Sequence, residues 1–296
     1  MRGINFLILI FSIFINVGMQ AAYAQPVTGS IVQDQLNIQT TKDGLKIIPL
    51  PPGKWYVIFS QKERSGGDEK GNQNRYINIE LAETSNNLLK KFLSIRLNDD
   101  AEGHKRYTNE PCKVTNIHHK NDYGSRLWDQ KCLVVSHVAG WLQTGNNDSF
   151  SAIRAYFLTN NILIPSTTFG MNYTQFDSYG GFLRVILRFN PIAYGFADSS
   201  ASYEMSPWQK DLIRSDSAKS QFAAKVVAYS EAYANALQGA FNKRPLPFMI
   251  EFDEAKQSED IFSTDELREK CVEIGFKKGT KAFDNCVIEL QSRVKR

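Results

Sequence analysis

The chain has 296 residues, 42% of them hydrophobic and 22% charged, enough apolar content for a substantial core and too much for a disordered chain. Thirty-five Lys and Arg against 31 Asp and Glu leave a net charge of +4, spread along the sequence, which excludes an electrostatic nucleic-acid binder. Collagen, coiled-coil and mucin-like compositions are excluded as well, and the length allows one large domain or two small ones.

Residues 1–24 have three zones: a basic start at Arg2, an apolar run Phe6 to Ile15 broken by Ser12, and the small-residue tripeptide Ala22, Tyr23, Ala24 before Gln25. This is the pattern of a secretory signal peptide cleaved between Ala24 and Gln25. The run is shorter than the roughly 20 residues that span a bilayer, and no later segment reads as a membrane span. No Cys follows the cleavage site, which argues against a lipoprotein.

Residues 25–43 are polar, with Pro26 and Gly29 and no sustained period, and read as a linker. From Gly44 to residue 250 we expect an α+β domain, antiparallel and β-rich at first and helical later. Leu45 to Leu50 and Trp55 to Ser60 are β-type runs around the turn Pro51, Pro52, Gly53. Arg75 to Leu81 alternates polar and apolar residues as a half-buried strand does. These three are expected to form an antiparallel meander, with Ser65 to Asn74 as an exposed loop. Phe92 to Leu97 and Leu133 to Trp141 are further strands. Ser149 to Thr159 is a short helix capped by Asp148 or Ser149, and Thr168 to Phe176 with Phe182 to Phe189 is a second hairpin. Ser206 and Pro207 predict the start of a short helix through Ile213. Phe222, Val226, Tyr229, Tyr233, Leu237 and Ala240 form the apolar stripe of a long one, better explained by core packing than by a cofactor.

The four cysteines, Cys112, Cys132, Cys271 and Cys286, allow three pairings, and export makes bridges permissible. Proximity favours Cys112 with Cys132 and Cys271 with Cys286, since short loops lose least entropy on closing. Neither pair has structural-zinc spacing, and there is no Cys-x-x-Cys. After a linker at 251–262, residues 263–296 are expected to form a helical hairpin clipped by Cys271 and Cys286. Ser263 with Glu266 makes a capping box for the first helix, and Thr280 caps the second. Residues 251–270 carry eight acidic and three basic groups and residues 277–296 six basic and two acidic, charges that suit antiparallel pairing.

The run Cys271, Gly275, Phe276, Gly279, Thr280, Phe283, Cys286 resembles the Cys-flanked tail found on many uncharacterised exported proteobacterial proteins. The likeness covers about 30 residues and implies a bacterial envelope protein, periplasmic or secreted. It implies no catalytic residues.

Nucleotide-binding glycine motifs, the Gly-x-Ser-x-Gly elbow and the His-Glu-x-x-His helix are all missing. Ser292 and Lys295 make a formal Ser-x-x-Lys too close to the C-terminus to matter. Three weak constellations remain. Asn98, Asp100, Glu102 and Gly103 mimic the start of a calcium loop, but Asn109 stands where a bidentate Glu is needed. His118 and His119 would point to opposite faces if extended, so a solvated loop inside the disulfide is the better reading than a metal site. Glu63, Glu80, Glu83, Asp99 and Asp100 could supply a glycosidase carboxylate pair only if the fold places two of them together. No metal or cofactor is expected. The function these observations favour is a non-catalytic exported binding or envelope-interaction protein, with an envelope component or a small ligand as partner and an aromatic groove at Trp55, Trp128, Trp141 or Trp208 as its sign. A periplasmic hydrolase with an unfamiliar site is the alternative.

Overall fold

The computed structural model describes residues 25–41, 43–67, 73–100, 112–114, 117–126, 129–144, 148–176, 181–199, 202–241 and 247–252, together with Cys271, Val272, Lys277, Lys278, Thr280, Phe283 and Val287. The expected signal peptide, residues 1–24, and most of the expected C-terminal hairpin, Cys286 included, lie outside these residues.

The architecture is α+β and dominated by one antiparallel sheet. Its strands are β1 (Ile31–Val32), β4 (Trp55–Gly67), β5 (Gln73–Ser85), β6 (Leu88–Asp100), β7 (His119–Arg126), β8 (Asp129–Ala139), β9 (Thr167–Phe176) and β10 (Phe182–Phe189). Their order across the sheet is β1-β4-β5-β6-β10-β9-β8-β7. A separate two-stranded ribbon pairs β2 (Gln35–Thr40) with β3 (Gly44–Pro49). The helices are α1 (Trp141–Thr144), α2 (Asp148–Thr159), α3 (Lys210–Ile213) and α4 (Ser217–Phe241).

Several expectations need correction. The segment 25–43 is not a linker: β1 pairs with β4, and β2 alternates exposed Gln35 and Gln39 with buried Leu36 and Ile38. A polar composition hid a strand whose few apolar residues all point one way. The run Leu45 to Leu50 is a strand, but it pairs with β2 rather than joining β4 and β5 in a meander. The meander is instead β4-β5-β6, and its second turn is Asn86-Asn87 with φ of 50° and 60°, the left-handed pair that a two-residue hairpin needs. Inside the Cys112 to Cys132 loop lies β7, unanticipated, paired along β8. Ser206 Oγ accepts the Trp208 N–H at 3.3 Å within a turn, so the short helix begins later, at Lys210.

The expected bridge Cys112–Cys132 is present. Cys271 is buried and disulfide-bonded. Thr280 Oγ1 accepts the Phe283 N–H at 3.3 Å, the bond of the expected cap.

Alternation along the long strands gives the sheet two faces. Ile77, Ile79 and Leu81, then Leu93, Ile95 and Leu97, then Leu183, Val185 and Leu187 share one face with the α4 stripe. That stripe packs as predicted: Phe222, Val226, Tyr229, Tyr233 and Leu237 are all buried. Each such aromatic or aliphatic side chain contributes roughly 1.5–3 kcal/mol on leaving water. Tyr233 also donates its hydroxyl to the Pro49 carbonyl at 2.8 Å, tying α4 to β3. The opposite face is covered only in part. Gly140, at φ +68°, turns the chain off β8 so that α1 and α2 lie over this second face, where Leu142, Ile153 and Phe157 pack on Ile58, Ala82 and Phe92.

Candidate ligand site

Beyond the helical cover, the second face turns polar in three neighbouring rows that run across the strands. One row is Asn78, Arg96, Arg184 and Thr174; the next is Glu80, Ser94, Ile186 and Asn172; the third is Ala82, Phe92, Arg188, Gly170 and Ser136. Register alone therefore places Glu80 and Ser94 between arginines of the flanking rows. The edge of α1–α2 reaches over these rows and leaves a cavity of about 270 Å³. Its floor is Glu80, Ser94, Arg184 and Arg188; Trp141, Phe150 and Ile153 form the apolar roof.

The roof is held firmly. Trp141 packs edge-on against Phe92 and Phe150, at centroid distances of 5.0 and 5.7 Å, and donates its indole N–H to Thr168 Oγ1 at 2.9 Å. On the floor, Ser94 donates its hydroxyl to Glu80 Oε1 at 3.1 Å, while Glu80 Oε2 is buried with no hydrogen-bond partner. Burial pushes the Glu80 carboxyl up to about 8; Glu63 adds to the rise, and Ser94, Arg184 and Arg96 oppose it. At neutral pH Glu80 is thus a protonated acid, and its Oε2 offers a donor rather than a charge.

Arg188 crosses β9 to donate through Nη1 to the carbonyls of Ser136 and Gly170, at 3.0 and 3.2 Å. Gly170 is required there, because a Cβ would stand 2.0 Å from the Leu187 carbonyl oxygen. Desolvation, with repulsion from Arg184, brings Arg188 down to about 10. Arg184, exposed at the mouth, donates its Nε–H to Asn172 Oδ1 at 3.3 Å. Arg96 lies directly opposite Arg184 on β6, with its guanidinium 4.3 Å from the Tyr76 ring centre. None of the three arginines makes an ion pair among the described residues.

Protein-family models, curated proteins and solved structures provide no match to this chain.

The other sequence candidates scatter. Glu83 is on the opposite face, 2.6 Å from the buried Lys91 ammonium, and Asp99 pairs there with Lys62 at 2.9 Å. Only Glu80 of the proposed carboxylates enters the cavity, with Glu63 near enough to act on it electrostatically. Asn98 and Asp100 belong to β6 rather than to a calcium loop, and Glu102, Gly103 and Asn109 lie outside the described residues. His118 and His119 are not in a solvated loop: His118 precedes β7 and lies with its Nε2 3.3 Å from His137 Nδ1, and His119 opens β7, its Nε2 2.9 Å from Glu231 Oε1. Burial brings His118 down to about 4, and His137 is lowered too, so both rings are neutral near pH 7. His137 also stacks on Tyr203 at 4.5 Å beside a second, more polar hollow. Trp55 and Trp208 are fully buried, Trp128 lies outside the described residues, and Trp141 alone of the described tryptophans lines the cavity. Sequence reading missed Ser94, Arg184 and Arg188. Two arginines four apart on an otherwise apolar strand were the available signal, and the ordinary reading of that pattern is a solvated face.

Proposed function

We propose that this chain is a non-catalytic binding protein that takes up a small ligand in the cavity under α1–α2, and that it works after export to the bacterial envelope. One observation carries the binding reading: a roofed cavity whose apolar top faces a floor with a buried, unpartnered Glu80 oxygen. A concave apolar site with a few converging polar groups is the usual form of a small-molecule site, and about 270 Å³ lies just under the range of drug-sized ligands. Export is supported by the three-zone N-terminus and by the Cys112–Cys132 bridge, which suits an oxidising compartment. A clipped Cys271–Cys286 hairpin, with Cys271 bonded and buried, belongs to the same reading.

For a hydrolase, Ser94 would have to lose its proton to Glu80, and a carboxyl that keeps its own proton to about pH 8 is a poor base at pH 7. None of the described histidines hydrogen-bonds a Ser or Cys. The test is a fragment screen by thermal shift on the chain from Gln25 to Arg296. Small amphiphilic fragments should raise Tm, and Trp141→Ala should abolish the response. A screen without hits, or hits indifferent to Trp141→Ala, would overturn the proposal, and turnover of p-nitrophenyl esters lost in Ser94→Ala would replace it with the hydrolase.

A further inference from the structure

We infer that the occupant of this cavity is a small organic anion, a carboxylate on an apolar body, seated with its charge against Arg184 and Arg188 and its body beneath Trp141. The inference rests on the binding reading above and adds the ligand's chemistry.

The floor is rich in donors and short of acceptors. Arg188 spends Nη1 on two backbone carbonyls, which satisfy hydrogen bonds without neutralising charge, and its remaining N–H groups stay on a guanidinium that is 7% exposed. Arg184 has one bond, to a neutral amide. Buried charge without a counter-ion costs several kcal/mol, so a fold that keeps the buried Arg188 beside a cavity, with Arg184 at its mouth, has left a place for a negative group. Guanidinium groups match a carboxylate in geometry as well as in sign. Glu80 does not take that place. Its Oε1 already accepts from Ser94, its Oε2 is buried without a partner, and burial keeps the carboxyl protonated, so it brings no negative charge to the arginines. The charged groups around it are Glu63 on β4, Arg96 on β6 and Arg184 with Arg188 on β10. Trp141, Ser149, Phe150 and Ile153, the lining residues from α1 and α2, contribute no ionisable group. The apolar roof excludes a small inorganic anion as the best fit, because it would leave Trp141 and Phe150 uncovered by the ligand.

The experiment is isothermal titration of the chain from Gln25 with matched probes: phenylacetate, phenylacetamide and phenethylamine, and hexanoate, hexanamide and hexylamine. Each carboxylate should bind at least tenfold more tightly than its amide, and the amines should not bind. Arg184→Gln, at an exposed position, should weaken the carboxylates several-fold and leave the amides unchanged. Carboxylate affinity should fall about tenfold from pH 7 to pH 9 as Glu80 ionises, and Glu80→Gln should bind with a flat profile over that range. Equal binding of amide and carboxylate, or a preference for the amine, would overturn the anion while binding lost in Trp141→Ala keeps the cavity reading. Failure of every probe would overturn both.

Discussion

The protonated Glu80 makes a quantitative demand on stability. Its ordinary value is 4.5 and its folded value about 8, so between these limits the folded state holds a proton that the unfolded state has released. Stability conferred by that proton is complete below pH 4.5 and is lost as pH rises through 8. At about 1.4 kcal/mol for each tenfold change in proton affinity, the whole span amounts to about 5 kcal/mol. His118 and His137 act in the other direction: their folded values lie below 6.5, so they add stability as pH rises towards 6.5 and nothing above it. Just below pH 6.5 two histidines oppose one carboxyl, so stability still rises towards 6.5, and above it Glu80 acts without them. Urea denaturation followed by circular dichroism should therefore show a stability maximum near pH 6.5 and a fall of about 2 kcal/mol by pH 8. That fall moves the midpoint by roughly 0.7 M at an m-value of about 3 kcal/mol/M. In Glu80→Gln, which keeps the acceptor for Ser94, the curve should rise to pH 6.5 and stay level. A wild-type curve that is flat from pH 6.5 to 8, or a variant that falls as steeply, would refute a neutral Glu80 and the donor role built on it.

Gly170→Ala places a Cβ 2.0 Å from backbone on β10, so the strands must part by about 1.4 Å; the expected loss is about 2–4 kcal/mol in urea, together with weakened carboxylate binding as Arg188 shifts. Glu83→Ala strands the Lys91 ammonium, 2% exposed, with the Pro52 carbonyl, and should cost about 3–5 kcal/mol, most of it recovered in Glu83→Leu with Lys91→Met. A single-variant loss under about 1 kcal/mol would contradict that pairing. Replacing Cys112 and Cys132 by Ser opens a loop of 20 residues in sequence separation and should lower stability by about 3 kcal/mol at neutral pH. Non-reducing peptide mapping of protein recovered from the envelope should give an N-terminus at Gln25 and a Cys271–Cys286 peptide; free thiols or a retained Met1 count against export.

The parts of the fold legible in the sequence are those decided by neighbours along the chain. Ile77, Ile79 and Leu81 announce a strand because period two is a local property, and the α4 stripe announces a buried helix for the same reason at period 3.6. Residues 35–40 were lost among polar residues, since two apolar positions, Leu36 and Ile38, are too few to set a period unaided. β7 was lost for a similar reason: His119 to Arg126 has a strand's geometry with a loop's composition, and its extended form comes from pairing with β8.

By itself, the amino-acid sequence determined a β-rich chain with a late helical part and the alternation of Arg75 to Leu81, and it favoured the Cys112–Cys132 bridge among three pairings. The candidate site was decided by tertiary structure. Glu80, Ser94, Arg184, Arg188 and Trp141 come from β5, β6, β10 and α1, and they meet because β10 pairs with β6 across more than 80 residues of intervening chain. Alternation assigns a residue to a face but does not say what covers that face. Glu80 and Arg188 occupy positions that would ordinarily be solvated, and only the fold of α1–α2 over them removes the water that would hydrate their charges and turns a polar strand face into the floor of a cavity.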